Sequence, residues 1–305
     1  MPTHYLSIDV GSTSVTALII DIEAKSVVGS STISNNAEVT SANDKKIGRS
    51  EWDLVRMTDL AVANAATLVE KTKAQPAAIG ITGQQQGLQL LDDDMNTVSN
   101  FISWQDQRSK DTLPGESRTY LDAMGELGGA EIEENGLPAF ENTGCPIVTG
   151  YTAPNLFWLK ANNELPGKVH ATTAPEFVVS RLTGTRPVTD PTDAVSWGVY
   201  DLTKMGWNYD LIDSLGLNRQ LFSNLADSCA PAGQLTPAMA AKLGAKVGIP
   251  VSVASGDHQC SFAGTVADYK NTLAINIGTG GQASVFVDKP TPRGWLELRP
   301  YIQSG

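Results

Sequence analysis

Two short segments of glycine and hydroxyl residues have the composition of anion-binding turns. Backbone N–H groups in such a turn can converge on a phosphate without a side chain in the way, and the hydroxyls add donors. Neither segment is a P-loop, because neither has the Gly-Lys-Ser/Thr ending of that motif. The alternative is that both are ordinary tight hairpins whose glycines have positive φ. The segments are Gly11, Ser12, Thr13 and Ser14, and Gly278, Thr279, Gly280 and Gly281.

Two carboxylates stand at the ends of predicted strands. Asp9 lies just before the first turn, where a carboxylate could hold a hard cation such as Mg²⁺, the usual companion of nucleotide phosphates. Asp257 follows a strand and is flanked by small residues, a position suited to a catalytic base. The alternative for Asp257 is an ordinary cap for the residues that follow it.

Polar residues also follow two further predicted strands. The run Gln84-Gln85-Gln86 comes directly after a buried strand, and three adjacent amides offer the donors and acceptors that suit a polyol. Trp104, Asp106 and Arg108 alternate along the chain, so they are expected to point to one side of it. Two alternatives stay open: Trp104 as a core residue, and Asp106 with Arg108 as an ion pair.

The two turns belong to a repeated pattern: an apolar strand with a carboxylate or amide at its penultimate position, a turn, and a return strand. The strands are predicted at residues 5–10 and 15–20, and again at 272–277 and 283–287. Asp9, Gly11 and Asp21 recur 267 positions later as Asn276, Gly278 and Asp288. Two such turns facing each other across a cleft would suit an anionic ligand, and chance similarity of two hairpins is the alternative.

Between the two copies, hydrophobic spacing predicts the mixed elements of an α/β protein. Residues 112–150 are rich in Gly, Glu, Asn and Pro, which predicts an irregular segment with short helices. Helices are predicted at residues 52–73, 155–163, 175–182, 209–215 and 237–243, and further strands at 26–31, 77–82, 88–91, 101–104 and 251–254.

Composition excludes several classes of function. The 305 residues carry a formal charge of −11, which argues against binding to a nucleic-acid backbone. There is no apolar run of membrane-spanning length and no basic amino-terminal region, so a cytoplasmic protein without membrane partners is expected. Three scattered cysteines fit a reducing compartment, and no Cys/His spacing predicts a structural metal site.

The order of these motifs resembles the FGGY family of carbohydrate kinases. The resemblance covers almost the whole chain and is carried by residues 7–14, 81–87, 102–108, 256–259 and 277–281, with 149–160 similar to the segment before a family helix. It implies the α/β, ribonuclease H-like fold shared by actin, hexokinase and the Hsp70 ATPase domain, in which two domains enclose a cleft.

The resemblance also implies roles for individual residues. Asp257 matches the catalytic base, and Asp9, with Asp257, the residues that hold Mg²⁺. The turns at Gly11, Ser12, Thr13 and Ser14 and at Gly278, Thr279, Gly280 and Gly281 match the two phosphate-binding turns for ATP. The positions that match the lining of the sugar site are Gln85, Gln86, Trp104, Asp106, Asp257 and His258.

Within the family, residues 190–201 look most like those of sedoheptulokinases and somewhat less like those of xylulokinases. Xylulokinases commonly have Met-His where this chain has Gln85-Gln86, which argues against xylulose as the first substrate. Thr16 stands where the family often has a basic residue, which leaves one phosphate contact in doubt. The expected reaction is transfer of the ATP γ-phosphoryl group to a ketose hydroxyl, with xylulose or another pentulose or polyol as the alternative.

The resemblance predicts two domains. Residues 1–248 are expected to form the sugar-binding amino-terminal domain, and residues 249–305 the opening strands of an incomplete carboxyl-terminal domain. No segment matches the family's adenosine-binding region, so residues 1–305 are expected to lack sugar kinase activity. Sugar and ATP are the expected partners, and a homodimer is compatible with the sequence. A non-catalytic nucleotide switch of the actin and Hsp70 superfamily is the rival function.

Overall fold

The computed structural model describes residues 3–129, 131, 133, 137–277, 281–292 and 296–302. Its strands are β1 (His4–Val10), β2 (Ser14–Asp21), β3 (Ser26–Ser34), β4 (Glu51–Trp52), β5 (Pro76–Gly83), β6 (Gln89–Leu91), β7 (Phe101–Ile102), β8 (His170–Thr172), β9 (Val188–Thr189), β10 (Tyr200–Asp201), β11 (Gly206–Trp207), β12 (Asn224–Leu225), β13 (Pro231–Gln234), β14 (Pro250–Ser252), β15 (Ser255–Gly256), β16 (Ala274–Ile277) and β17 (Gly281–Ser284).

The α-helices of the described residues are α1 (Ala42–Lys46), α2 (Leu54–Thr72), α3 (Tyr120–Leu127), α4 (Thr152–Ala161), α5 (Ala174–Thr183), α6 (Pro191–Ala194), α7 (Tyr209–Ser214), α8 (Pro237–Leu243) and α9 (Asp257–Thr265). Short 3₁₀ helices cover Arg108–Lys110, Ala139–Thr143, Val195–Trp197 and Arg219–Leu221. None of these helices offers the long apolar stretch that crossing a bilayer requires.

One mixed sheet organises the first part of the chain. Its strands run in the order β13-β14-β5-β1-β2-β3, and β15 also pairs with β5. The predicted hairpin is confirmed, because β1 and β2 are antiparallel with Val10 opposite Val15. Strand β5 is parallel to β1, and β14 and β15 are parallel to β5. The carboxyl ends of β1, β5 and β15 therefore meet at one edge of the sheet.

Helix packing completes the core around this sheet. Every second residue of β1 is buried, and α2 packs on β1, β2 and β3. Helix α2 begins at Leu54 rather than at the predicted Trp52, because the Asp53 side chain caps the Arg56 N–H at 3.0 Å. Trp52 lies in β4 instead. Helix α5 packs on β5, β13 and β14, which holds the parallel strands in place.

A second apolar cluster packs around helix α4. It joins α4 with the 3₁₀ turn at Trp197 and with helix α7, and Leu156, Trp197 and Ile212 are fully buried in it. The segment predicted to be irregular does contain a short helix, α3, which begins with a capping box formed by Thr119 and Asp122.

The second hairpin forms as predicted but in a different register. Val10 and Val15 close the first hairpin around residues 11–14, whereas Ile277 and Gly281 close the second around residues 278–280. The two therefore differ by one residue from a strict repeat. The return strand ends at Ser284 and not at the predicted residue 287. Gly278, Thr279 and Gly280 lie outside the described residues, and Gly281 begins β17.

The sheet continues beyond the domain boundary predicted at residue 248. Val251 of β14 pairs with Ile79, and Ser255 of β15 pairs with Thr82, both on β5. Residues 250–256 therefore pair with the same sheet as β1 and β2.

Candidate active site

The meeting point of three strand ends defines the site. Asp9 on β1 is in register with Thr82 on β5, and Thr82 is in register with Ser255 on β15. The Thr82 hydroxyl also donates to the Ser255 carbonyl at 2.8 Å. The loops that follow these strands line one cavity of about 840 Å³. Asp9 and Asn276, the penultimate polar residues of the two hairpins, both line this cavity, so the two hairpins face it together.

The first glycine and hydroxyl turn lies on the wall of the cavity. Gly11 N–H donates to the Ser14 carbonyl at 3.0 Å, and a Cβ at residue 11 would lie 2.9 Å from that oxygen. This close approach requires the glycine; Gly11 is not among the positive-φ residues. Within the described residues, the hydroxyls of Ser12, Thr13 and Ser14 have no hydrogen-bond partner. The turn can therefore offer these donors to a phosphate.

Asp257 is the first residue of α9 and faces the cavity. The helix N-cap is Gly256, so Asp257 is not the cap, although its Oδ1 accepts the His258 N–H at 2.7 Å. Crowding by the cleft walls removes part of the hydration of the carboxylate and raises its pKa to about 6. The negative charge of Asp9 acts in the same direction, whereas the His258 N–H and the Arg299 charge oppose it.

Asp9 brings a second carboxylate to the same cavity. Desolvation by burial raises the pKa of Asp9 above its ordinary value. In the described residues, no cluster of three or more His, Cys, Asp or Glu side chains could hold a metal by itself. Two carboxylates whose charges repel each other do fit Mg²⁺, which is commonly held by one or two carboxylates together with water and substrate phosphates.

The three glutamines of the loop after β5 have different environments. Gln85 is buried; its Nε2 donates to the Thr192 carbonyl at 2.5 Å, and its Oε1 accepts from Arg299. Gln84 is also buried and lines the cavity, and its Oε1 has no hydrogen-bond partner in the described residues. Gln86 has a φ of 66° and lines the cavity with a half-buried side chain whose amide is unpaired within the described chain.

Trp104 also lines the cavity. Its side chain is 43% exposed, so Trp104 is not a core residue. Its backbone is held by a close approach to Gly150, which has a φ of 82°. A Cβ at Gly150 would lie 2.1 Å from the Trp104 carbonyl oxygen, so this approach requires a glycine.

Asp106 does not reach the cavity, which differs from the role that the family resemblance implied. The side chain is fully buried, and its carboxylate accepts the Ser50 N–H at 2.8 Å and the Arg108 Nε at 2.9 Å. Arg108, also buried, makes a further ion pair with Glu51 at 2.7 Å. Asp106 and Arg108 therefore form the ion pair that the sequence left open as an alternative. Both carboxylate oxygens of Asp106 already accept from protein donors.

His258 faces the cavity from the first turn of α9 and contacts the second hairpin. Its Nε2 lies 3.0 Å from the Ser284 hydroxyl. Desolvation by burial lowers the pKa of His258, and the positive charge of Arg299 adds to this effect. His258 therefore stays neutral at physiological pH and can exchange hydrogen bonds with a hydroxyl ligand.

Arg299, Glu297 and Tyr151 belong to the site but were not predicted from the sequence. Arg299 and Glu297 line the cavity and form an ion pair at 2.9 Å, and the Tyr151 hydroxyl donates to Glu297 at 2.9 Å. The one available signal was weak: two charged residues two positions apart in an extended segment point to the same side.

Comparisons with known proteins identify the family of this chain. Residues 4–264 match the model of the FGGY family of carbohydrate kinases, N-terminal domain. The xylulose kinase of Staphylococcus xylosus is 24% identical over 92% of this chain and 54% of that protein. The glycerol kinase of Marinomonas sp. (strain MWYL1) is 29% identical over 91% of this chain and 54% of that protein. The chain thus spans about half the length of the curated relatives it matches.

A solved structure supports the fold. The crystal structure of xylulose kinase from Rhodospirillum rubrum superimposes with a TM-score of 0.81, at 22% identity, over 98% of this chain and 58% of that chain. Such sugar kinase structures have the actin- and hexokinase-like, ribonuclease H-like fold, so the predicted fold class is confirmed. The relatives named here are xylulose and glycerol kinases, and they give no support to sedoheptulose as the substrate.

Proposed function

The chain belongs to the FGGY family of carbohydrate kinases, and from this premise we propose that it binds a ketose and supplies the base for phosphoryl transfer from ATP to a sugar hydroxyl. The observation that carries the proposal is the position of Asp257. Its carboxylate stands at the start of α9 and faces the cavity that Asp9 and the hydroxyl residues of the first turn also line.

Asp257 is the proposed general base. A sugar hydroxyl is a weak nucleophile at neutral pH, and a positioned carboxylate can accept its proton as the new P–O bond forms. A pKa of about 6 leaves Asp257 mostly ionised at pH 7 while making it a stronger base than an ordinary aspartate. Phosphoryl transfer is dominated by positioning and charge, so the remaining residues have mainly these two tasks.

The first turn is the proposed contact for the phosphates of ATP. Ser12, Thr13 and Ser14 lie on the cavity wall, and their hydroxyls make no hydrogen bond within the described part of the chain, so they can donate to a polyanion. Asp9 and Asp257 are the residues that would hold Mg²⁺, which neutralises phosphate charge when it is bound. Gly278, Thr279 and Gly280 remain the proposed second turn on the strength of the sequence resemblance.

Sugar recognition falls to the side chains with unused polar groups. Among the described residues, the Gln86 amide and the buried Gln84 Oε1 have no hydrogen-bond partner, and the lowered pKa of His258 favours its neutral ring. Trp104 offers an apolar face on which the carbons of a sugar can pack. Gln85 contributes indirectly, because both ends of its amide are occupied by Thr192 and Arg299.

The substrate is proposed to be a ketose, with sedoheptulose as the first candidate and xylulose as the second. Sedoheptulose rests on the likeness of residues 190–201 to sedoheptulokinases, and xylulose rests on the relatives named above. A site built to hydrogen-bond several hydroxyls disfavours a shorter polyol by about 1–3 kcal/mol for each bond left unmade. Glycerol is therefore expected to be the poorest of the three.

The domain boundary is proposed to lie after α9. Strands β14 and β15 pair with β5, and the family's amino-terminal model extends to residue 264. Residues 266–305 then begin the second domain, with β16 and β17 as its first hairpin.

Sugar binding by the 305-residue chain tests the proposal directly. Thermal unfolding is measured with sedoheptulose, xylulose and glycerol in turn, without nucleotide. A sugar present at one hundred times its Kd stabilises the folded chain by about 2.7 kcal/mol, which is a readily measured rise in Tm. The Gln86→Gly variant, which keeps the positive φ without strain, should lose most of this rise, whereas Gln220→Ala on the exposed surface should not.

Catalysis is tested in the active enzyme by a coupled ADP-release assay. Asp257→Asn should lower kcat by about 10²-fold or more, the usual contribution of a positioned base, with little change in sugar affinity. Asp210→Asn, an exposed carboxylate on α7, is the matched control. Stabilisation by nucleotides alone, with none by any sugar, would refute the kinase proposal in favour of a nucleotide switch.

A further inference from the structure

Thr192 is a buried residue outside the cavity that contacts three parts of the site. It lies in α6 and has no solvent exposure. Its Oγ1 accepts the Gly256 N–H at 2.9 Å, directly before Asp257. Its carbonyl accepts Nε2 of Gln85 at 2.5 Å and Nε2 of Gln259 at 3.1 Å. One residue thus bonds the start of α9, the first turn of α9 and the glutamine loop.

We propose that Thr192 is the positioning residue of the site: it sets the place of the Asp257 carboxylate by holding the start of α9 and the Gln85 amide at one point. The inference rests on the proposed function in that it takes Asp257 as the base. Thr192 itself does not line the cavity, so it acts only through the residues it holds.

The start of α9 depends on this contact because it lacks a cap of its own. Gly256 is the N-cap and has no side chain, so the N-cap residue itself accepts no side-chain hydrogen bond. The Thr192 hydroxyl accepts from Gly256 N–H and at the same time donates to Oδ1 of Asp190 at 2.6 Å. Because the hydroxyl is used in both directions, valine, which has the same shape, cannot replace it without leaving buried polar groups unpaired.

Asp190 anchors this arrangement in the sheet. Its other oxygen, Oδ2, accepts the hydroxyls of Ser255 at 2.8 Å and Ser228 at 2.6 Å. Ser255 belongs to β15, whose pairing with β5 places it beside Thr82. Asp190 therefore fixes Thr192 relative to the strand ends, and the Thr192 hydroxyl in turn fixes the position of Gly256.

The loop that carries Gln85 is also held by Thr192. A Cβ at Gly256 would lie 2.3 Å from Nε2 of Gln85, so the two are packed as closely as a glycine allows. The Gln85 Oε1 accepts from Arg299, whose side chain lines the cavity. Loss of the Thr192 contacts should therefore loosen the position of both Asp257 and Arg299.

The test measures hydrogen exchange and the ¹H–¹⁵N chemical shifts of the Gly256 and Asp257 amides in the 305-residue chain. In Thr192→Val the Gly256 N–H loses its acceptor, so its exchange should become about tenfold faster and both amide shifts should move. Thr192→Ser keeps the hydroxyl and should restore the original exchange rate and shifts. Thr192→Ala, which loses the hydroxyl without adding a methyl group, repeats the test if Thr192→Val does not fold.

Thr58→Val is the matched control, because Thr58 is also buried and its hydroxyl donates to the Leu54 carbonyl within α2. It should leave the Gly256 and Asp257 amides unchanged. Unchanged exchange and shifts in the variants that lack the Thr192 hydroxyl, or equal changes in Thr58→Val, would overturn the inference. The measurement needs neither sugar nor ATP, so failure to bind sugar would refute the proposed function without affecting this result.

Discussion

The Arg299 guanidinium donates to the Gln85 Oε1, although 214 positions separate the two residues in the chain. The same guanidinium pairs with Glu297 at 2.9 Å. For Asp257, the positive charge of Arg299 partly offsets the desolvation that raises the pKa. For His258, the same charge adds to the desolvation that lowers the pKa. Arg299 therefore both holds Gln85 in place and tunes the pKa values of Asp257 and His258.

Removal of this charge should make Asp257 harder to ionise. In Arg299→Gln the carboxylate loses a favourable neighbour, so its pKa should rise above the value of about 6 in the parent chain. NMR titration measures this directly, and in an active enzyme the acid limb of kcat/KM should move to higher pH. Arg186→Gln, which removes an exposed cation paired with Asp93 at 3.8 Å, should change neither. An unchanged or lower pKa in Arg299→Gln would contradict this prediction.

The raised pKa of Asp257 also makes the stability of the fold depend on pH. The folded state binds its proton more tightly than the unfolded chain, whose aspartate has the ordinary value of 3.8, so ionisation destabilises the fold as pH rises from about 4 to about 6. Asp257→Asn mimics the protonated form. It should unfold at a higher temperature than the parent at pH 7.5 and at the same temperature below pH 4, as measured by calorimetry. Equal differences at both pH values would contradict this assignment.

Gly256→Ala should disturb the site, because the new Cβ would lie 2.3 Å from Nε2 of Gln85 and 2.7 Å from Oε1 of Gln259. We expect a loss of about 1–3 kcal/mol of stability from this overpacking. Gly264→Ala in the same helix meets no atom within 4 Å and should stabilise the chain by roughly 0.5–1 kcal/mol through helix propensity. Urea denaturation distinguishes the two outcomes, and a stabilising Gly256→Ala would contradict the packing described here.

Asp106 should prove to be a stability residue. Asp106→Ala leaves the buried Arg108 with only the more exposed Glu51, and breaking a buried ion pair typically costs about 3–5 kcal/mol. Asp213→Ala breaks the solvent-exposed pair with Arg219 and should leave Tm essentially unchanged. If Asp106→Ala instead kept its stability and lost sugar binding, the role implied by the family resemblance would be restored.

The second hairpin exposes an apolar face. Ile275 and Ile277 are 63% and 82% exposed on the same side of β16, and Val285 is 60% exposed nearby. We expect the 305-residue chain to self-associate through this face, with a sedimentation coefficient that rises with concentration. The double variant Ile275→Thr and Ile277→Thr should abolish this rise, and Val27→Thr on β3 should not. A monomer at all concentrations would contradict the prediction.

The sequence by itself determined the elements whose signals are local. Alternating apolar residues predicted β1 and β2, and α8 has the predicted bounds of residues 237–243. The glycine and hydroxyl turn and Asp257 were also recognisable, since each is a short motif next to a strand end. Such signals are readable because they arise from interactions between residues a few positions apart.

Only the tertiary structure decided which side chains share the cavity. Asp106 and Trp104 are two positions apart, yet the first is buried with Arg108 and the second faces the cavity. Thr192 and Arg299 carry no local signal, because their partners Gly256 and Gln85 are 64 and 214 positions away in the chain. These contacts depend on how the strands and helices pack, and hydrophobic spacing along the chain does not encode a hydrogen bond between distant polar groups.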